Sequence, residues 1–287
     1  RLRTPVERAL RDAGRGPRDI SDVILVGGAS RMPLVARMAS RMLGRLPLRH
    51  VQPDEAIGLG ACIAAGLKAR DAALEEVVLT DVCPYTLGIE TSQQYGNQIE
   101  GGHYLPIIER NSVVPVSRED DFCPINDAQT QLVLDIYQGE SPTVDRNIKL
   151  GEIRIPLKGK GPAQAKSVTA RFTYDVNGLL QVEVTEHASG TRHELILEQN
   201  PGLLSPDEIQ QRLAALQSLK VHPRDDQPNL AVVARLGRLY EECLDQRDTL
   251  QRWLSQFHAA LESQDLARIE RHREELTHAM DSLEIDA

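Results

Sequence analysis

The spacing of apolar residues changes twice along this 287-residue chain, so no single kind of layer can run through it. Residues 1–76 carry helical spacing around one apolar run. Residues 85–200 alternate with period two. Residues 203–287 return to helical spacing. The predicted order is α/β, then β, then α: a multidomain α+β chain.

The first part turns on Asp22-Val-Ile-Leu-Val-Gly-Gly-Ala-Ser-Arg-Met-Pro33. An apolar run that stops at two glycines before a helical pattern predicts a buried strand, a tight turn and a helix. Such a turn presents bare backbone to a ligand, usually a phosphate or nucleoside. The run matches neither G-x-G-x-x-G nor a P-loop, so on its own it is equally a packing turn. The expected elements are a helix over Thr4–Ala13 stopping at Gly14, a strand over Val23–Val26, and a helix from Pro33 to Leu43 ending at Gly44. A short strand closes near Val51. Gln52-Pro-Asp-Glu-Ala56 then opens an Ala/Gly-rich helix whose small residues permit close packing. The chain begins inside an amphipathic helix, which points to a fragment of a longer protein.

In the middle, Thr130–Tyr137 sets Leu132, Leu134 and Ile136 on one face and Val133, Asp135 and Tyr137 on the other. Val168–Val176 alternates again. Asn177-Gly178 predicts a two-residue type I′ hairpin returning through Leu180, Val182 and Val184. Gly190 turns the chain into His193–Leu197. An antiparallel sandwich follows. In the last part, Ser205-Pro-Asp-Glu208 is a capping box. Pro223 and Pro228 interrupt the chain, one long helix is expected over 229–261, and Ser263 is expected to cap the last helix. Leu236, Leu239, Leu250 and Leu254, with Trp253 nearby, form a helix-packing face.

Composition removes several classes. Net charge is −9 and the isoelectric point about 5.4, so no basic field attracts nucleic acid or an anionic membrane. Aromatics at 3% are too few for base-stacking platforms. No apolar run is long enough to span a bilayer. The cysteines Cys62, Cys83, Cys123 and Cys243 are far apart, which points to reduced thiols in a cytoplasmic protein rather than a zinc site or a disulfide framework. The dispersed histidines have no defensible metal spacing, and no Ser/His/Asp or Cys/His set is recognisable; no metal site is expected. The apolar stretch at 77–84, Val-Val-Leu-Thr-Asp-Val-Cys-Pro, is unlike a polar linker and suggests a segment that docks in at least one state.

With these motifs in order, the chain resembles the seventy-kilodalton heat-shock chaperones, the DnaK family. The resemblance is carried by Val26-Gly-Gly-Ala-Ser-Arg-Met-Pro33, Pro53-Asp-Glu-Ala56, the linker, Asp81-Val-Cys-Pro-Tyr-Thr-Leu-Gly-Ile-Glu-Thr91, Asn111-Ser-Val-Val-Pro115, Gln138-Gly-Glu140 and the Asn177-Gly178 hairpin. The Cys-Pro-Tyr variant and the short helical end look like the HscC branch. The resemblance implies the last part of an actin-like ATPase domain at 1–76, a linker at 77–84, a peptide-binding sandwich at 85–202 and a helical lid at 203–287.

The same resemblance assigns residues. Gly27, Gly28, Arg31 and Asp54 would contact the nucleoside of ATP, which the full-length protein binds with magnesium. Ala29 replaces a serine common in relatives. Ile89, Phe122, Leu132, Leu134 and Val168 would surround a pocket for one apolar side chain of an extended peptide, or else be ordinary core. Ser92 and Ile125 match an arch over the peptide, with the large and small partners exchanged. Val78, Leu79, Asp81 and Pro115 would couple the two functions, although Thr80 replaces an apolar residue. Implied partners are unfolded peptides, a J-domain cochaperone and a nucleotide-exchange factor. Most phosphate-handling parts would lie upstream of Arg1, so residues 1–287 are expected neither to hydrolyse ATP nor to bind it tightly. Competing readings are an actin-fold, sugar-kinase-like phosphotransferase with an accessory β domain, and a passive peptide-interaction module.

Overall fold

A computed structural model of the chain describes residues 2–48, 52–69, 74, 80–95, 98–157, 161–198 and 205–286. Two compact units are present, Arg1–Leu79 and Thr80–Ala287.

In the first unit, α1 (Arg3–Asp12) ends just before Gly14. Helix α2 (Pro33–Leu43) opens on proline and closes on Gly44, whose N–H bonds the Ser40 carbonyl at 2.9 Å. Helix α3 covers Ala56–Lys68. The strand expected at Val23–Val26 is absent. The segment is without a ladder partner among the described residues and is steadied by a bond from the Leu48 N–H to the Val23 carbonyl, 2.8 Å. A strand is defined by its neighbour, and the apolar pattern alone does not supply one. The close packing expected of α3 is also not made by the described residues: a Cβ placed on Gly58 or Gly60 would meet nothing within 4 Å. The strand expected near Val51 lies outside the described residues.

The second unit begins with β1 (Asp81–Val82), which pairs antiparallel with β4 (Val113–Val114). Two four-stranded antiparallel sheets follow. One has the order β3 (Gln98–Ile108), β2 (Leu87–Tyr95), β6 (Gln131–Gln138), β7 (Ile148–Pro156). The other runs β10 (Arg192–Glu198), β9 (Leu179–Glu186), β8 (Val168–Tyr174), β5 (Val116–Phe122). Period two did its work: Leu132, Leu134 and Ile136 face inward from one sheet, Val168, Ala170 and Phe172 from the other, and all are buried in one core.

The Asn177-Gly178 hairpin forms, but not as a type I′ turn. That type needs positive φ at both central residues; here Gly178 has φ 84° and Asn177 does not. The Asp175 N–H instead bonds the Leu179 carbonyl at 3.0 Å, and the Asp175 carboxylate takes the Asn177 and Leu179 N–H groups at 2.8 and 2.7 Å. A carboxylate that satisfies two turn amides selects the longer loop.

Ser205 caps α4 (Pro206–Ala215) in the expected box with Glu208. The expected long helix is two helices, α5 (Gln227–Glu242) and α6 (Arg247–Glu262), broken at Cys243. One continuous rod could not bury its own apolar stripe. The break lets Val232, Leu236 and Leu239 meet Leu250, Phe257 and Leu261, with Ile269, Leu276 and Met280 of α7 (Leu266–Asp286) completing the bundle. Ser263 does not cap α7. Its hydroxyl bonds back to the Ala260 carbonyl at 2.6 Å, and Asp265 takes the Ala267 and Arg268 N–H groups.

The helical region is tied to the outward face of the β10-β9-β8-β5 sheet. Lys220 reaches Glu183 at 2.6 Å and Gln181 at 2.7 Å, and Arg212 lies 3.5 Å from Asp175. This cover explains why β9 is buried at Gln181 as well as along its core-facing side.

Candidate functional site

Three groups of residues singled out in the sequence can be placed. The double-glycine turn is one. Gly27 has φ 81°, a value open to glycine, and its N–H bonds the Pro53 carbonyl at 2.8 Å. That bond brings the turn against Asp54. The Asp54 carboxylate pairs with the Arg31 guanidinium, and a Cβ on Gly28 would touch the Asp54 Oδ1 at 3.4 Å. Gly27, Gly28, Arg31 and Asp54 therefore share one locus. The Arg31 and Asp54 side chains are 60% and 51% exposed, so their pairing fixes direction more than it adds stability. Ser30 and Arg31 also border a cleft of about 720 Å³ that continues along α2 past Arg37 and Arg41.

The apolar group lies in the sandwich. Ile89, Leu132, Leu134 and Val168 are buried among the core residues, and Phe122 packs against them with part of its ring accessible. Phe122 sits directly opposite Val168 in the β5–β8 register, and Ile89 opposite Ile136 in the β2–β6 register. Ser92 and Ile125 are exposed. Ile125 stands on the β5–β6 loop, where its N–H bonds the Gln129 side chain at 3.0 Å and Gln129 in turn donates to the Gln131 carbonyl at 2.7 Å. Ser92 sits at a β-bulge: Gly101 and Gly102 together oppose it on β3, which re-aims the strand. The Gly101-Gly102 pair was the available signal.

The third group is at the sandwich end where β1 enters. Val78 and Leu79 lie outside the described residues. Asp81 pairs with Val114, the residue just before Pro115, so Asp81 and Pro115 are brought together. Nearby, Cys83 is buried and its thiol, pushed up by that burial, donates to the Tyr85 carbonyl at 3.1 Å. Burial likewise pushes the Tyr174 hydroxyl up to about 12.

Glu140 closes the Gln138-Gly-Glu140 motif. Its carboxylate accepts the Thr86 N–H at 3.1 Å and the Thr86 hydroxyl at 2.9 Å, and Arg110 lies 3.4 Å away. It anchors the start of β2. Ser167, His187, Thr169 and Asp121, from three separate segments, form a hydroxyl–imidazole–hydroxyl–carboxylate chain with contacts of 2.9, 2.6 and 2.6 Å. The chain ties β5 and β8 to the segment after β9, and no spacing rule would have found it.

A helical unit carrying a double-glycine turn, followed in the chain by an antiparallel sandwich and a helical bundle, defines a two-unit α+β protein of recognisable kind. The profile of the family described as Hsp70 protein matches residues 1–287, and the chain belongs to that family. It is similar to the chaperone protein DnaK of Deinococcus deserti, 35% identical over 282 residues, which is 94% of this chain and 43% of that protein. It is similar also to the chaperone protein DnaK of Thermus thermophilus, 38% identical over 79% of this chain and 34% of the relative. The chaperone protein dnaK3 of Thermosynechococcus vestitus is 38% identical over 76% of this chain and 30% of its own length. The chain thus spans less than half the length of these relatives. Among the described residues no helix is long and apolar enough to cross a membrane.

Proposed function

We propose that this chain is the peptide-holding part of an ATP-dependent protein-folding chaperone. The observation that carries the reading is Phe122. Its ring stays partly accessible at the end of β5, against buried Val168 and beside the exposed loop that bears Ile125. Ile89, Leu132 and Leu134 back the same core. A pocket opened there by a client would select by apolar area: one buried Leu or Ile contributes roughly 1.5–3 kcal/mol and needs no sequence code. Ser92 and Ile125 close over the peptide backbone with the bulk on the Ile125 side, which favours side chains different from those an ordinary arch selects.

The residues at the glycine turn fit the nucleoside end of ATP. Gly27 and Gly28 leave backbone uncovered, and Arg31, directed by Asp54, offers a guanidinium plane to a purine. ATP with magnesium, when bound by the whole protein, supplies the free energy that drives peptide release. Within this chain Asp81, Val114 and Pro115 would pass that signal into the sandwich, with Val78 and Leu79 as the docking segment. Clients are unfolded, extended polypeptides; a J-domain cochaperone and a nucleotide-exchange factor complete the cycle, in the cytoplasm. Cys83-Pro84-Tyr85 supports an HscC-like branch.

The test is a titration of residues 1–287 with a dye-labelled heptapeptide centred on leucine, followed by fluorescence anisotropy. Saturable binding is expected, weakened about tenfold or more when the central leucine becomes serine. Equal binding of the two peptides would reject the apolar pocket.

A further inference from the structure

Strand β5 is an edge strand. It pairs with β8 along Val116–Phe122 and, among the described residues, has no strand neighbour on its other side. In an antiparallel pair, alternate residues turn their N–H and C=O away from the partner. Glu119 is one of these. Its N–H donates to the Gln264 Oε1 at 2.9 Å, and its carbonyl accepts from the Gln264 Nε2 at 2.7 Å. A primary carboxamide offers one donor and one acceptor side by side, as the flanking groups of a neighbouring strand do. The next outward N–H, that of Asp121, is taken by the Asp120 carboxylate at 2.8 Å. The edge is therefore blunted by side chains at successive outward positions.

Gln264 arrives from the turn between α6 and α7 with φ 50°, a backbone state that a non-glycine residue keeps only when its surroundings fix it. A recess of about 390 Å³ opens beside this contact, bordered by Asp120, Asp121, Thr169 and Glu262.

We propose that the outer edge of β5 at Glu119 is a strand-addition site for an extended polypeptide, held shut by the carboxamide of Gln264. The occupant is an extended backbone because Gln264 already makes the pair of bonds that a partner strand would make. The recess has room for one of its side chains. Recognition through main-chain groups is tolerant of sequence. The site is distinct from the client pocket proposed at Phe122 and stands whether or not a client binds there.

The test is amide hydrogen exchange over residues 116–122 in the whole chain, with Gln264→Ala and Gln264→Glu. The probe is a threonine- and valine-rich heptapeptide, compared with the same peptide N-methylated at alternate residues. Gln264→Ala is expected to speed exchange at Glu119 roughly tenfold. Gln264→Glu, which still accepts the Glu119 N–H, keeps exchange slow. The unmodified peptide restores protection in Gln264→Ala, and the N-methylated peptide does not. Unchanged exchange in Gln264→Ala, or equal protection by both peptides, overturns the proposal. Protection that rises with protein concentration alone makes the occupant a second copy of the chain and overturns it too. In the wild-type chain, saturating peptide is expected to shift the side-chain amide resonances of Gln264; no shift at saturation counts against the site even if the alanine variant is poorly folded.

Discussion

The backbone of Gly88 on β2 runs directly against the Leu105 carbonyl on β3, so closely that a Cβ at position 88 would overlap the Leu105 oxygen. The register between the two strands shifts at this point: Leu87 faces Ile108 and Gly88 faces Pro106. The glycine in the Leu-Gly-Ile-Glu sequence is thus required by a main-chain approach and not by a ligand. Gly88→Ala should cost about 1–3 kcal/mol, because the obstacle is backbone and cannot swing aside. A thermal melt lowered by several degrees is expected; an unchanged melt would mean that β2 and β3 can separate freely.

Leu134 and Phe122 should differ in what each adds to stability. Leu134 is 3% exposed, so Leu134→Ala should lose about 2–5 kcal/mol of unfolding free energy. Phe122 is only partly buried. Phe122→Ala should cost less stability and yet weaken binding of an apolar heptapeptide. Denaturant unfolding and anisotropy on the same two variants give the comparison, and parallel losses in both quantities would make Phe122 mere core.

Glu140 should act through Thr86. Thr86 is 5% exposed, and Glu140 accepts both its N–H and its hydroxyl. Glu140→Ala leaves a buried donor unsatisfied, with an expected loss of about 1–3 kcal/mol. Glu140→Gln keeps one acceptor oxygen and should lose less. Urea unfolding of the two variants checks the order.

How legible the chain was depended on which forces were local. The alternation of Leu132, Leu134 and Ile136 is repeated in their burial, because a sheet with one covered face leaves no other register. The Ser205–Glu208 cap was equally plain, being a contact within four residues. The break at Cys243 was not: α5 and α6 each have good helical spacing, and only their packing against α7 requires the chain to fold back. Val23–Val26 failed for the converse reason, since a strand needs a partner that its own residues cannot announce. At the candidate sites, Gly27, Gly28, Arg31 and Asp54 converge because the Gly27–Pro53 bond joins two quoted motifs. The bond of Gln264 to Glu119 spans 145 positions and left no sequence signal.

His222 should make stability depend on pH. It is 5% exposed, and burial first, then the Arg224 charge, hold its imidazole below the usual histidine range; Glu119, Glu262 and Asp225 pull the other way. Its Nδ1 accepts the Arg224 N–H at 3.1 Å, which requires the neutral ring. Since the folded pKa is depressed, the unfolded chain takes up this proton first as pH falls. Stability from this group is complete above about pH 6.5 and declines below it. Melts between pH 8 and pH 5 should show the wild-type chain losing more than His222→Gln; identical pH profiles would exclude the group.

The central claim is that Ile89, Leu132, Leu134 and Val168, with Phe122, receive an apolar side chain from a stretched polypeptide. Methyl NMR of residues 1–287 with a leucine-centred heptapeptide tests this most directly. The account predicts cross-peaks from the peptide leucine to the methyls of Ile89, Leu132, Leu134 and Val168 and to the Phe122 ring. Contacts confined to the helical bundle or to α3, with those four methyls unmoved at saturation, would contradict it.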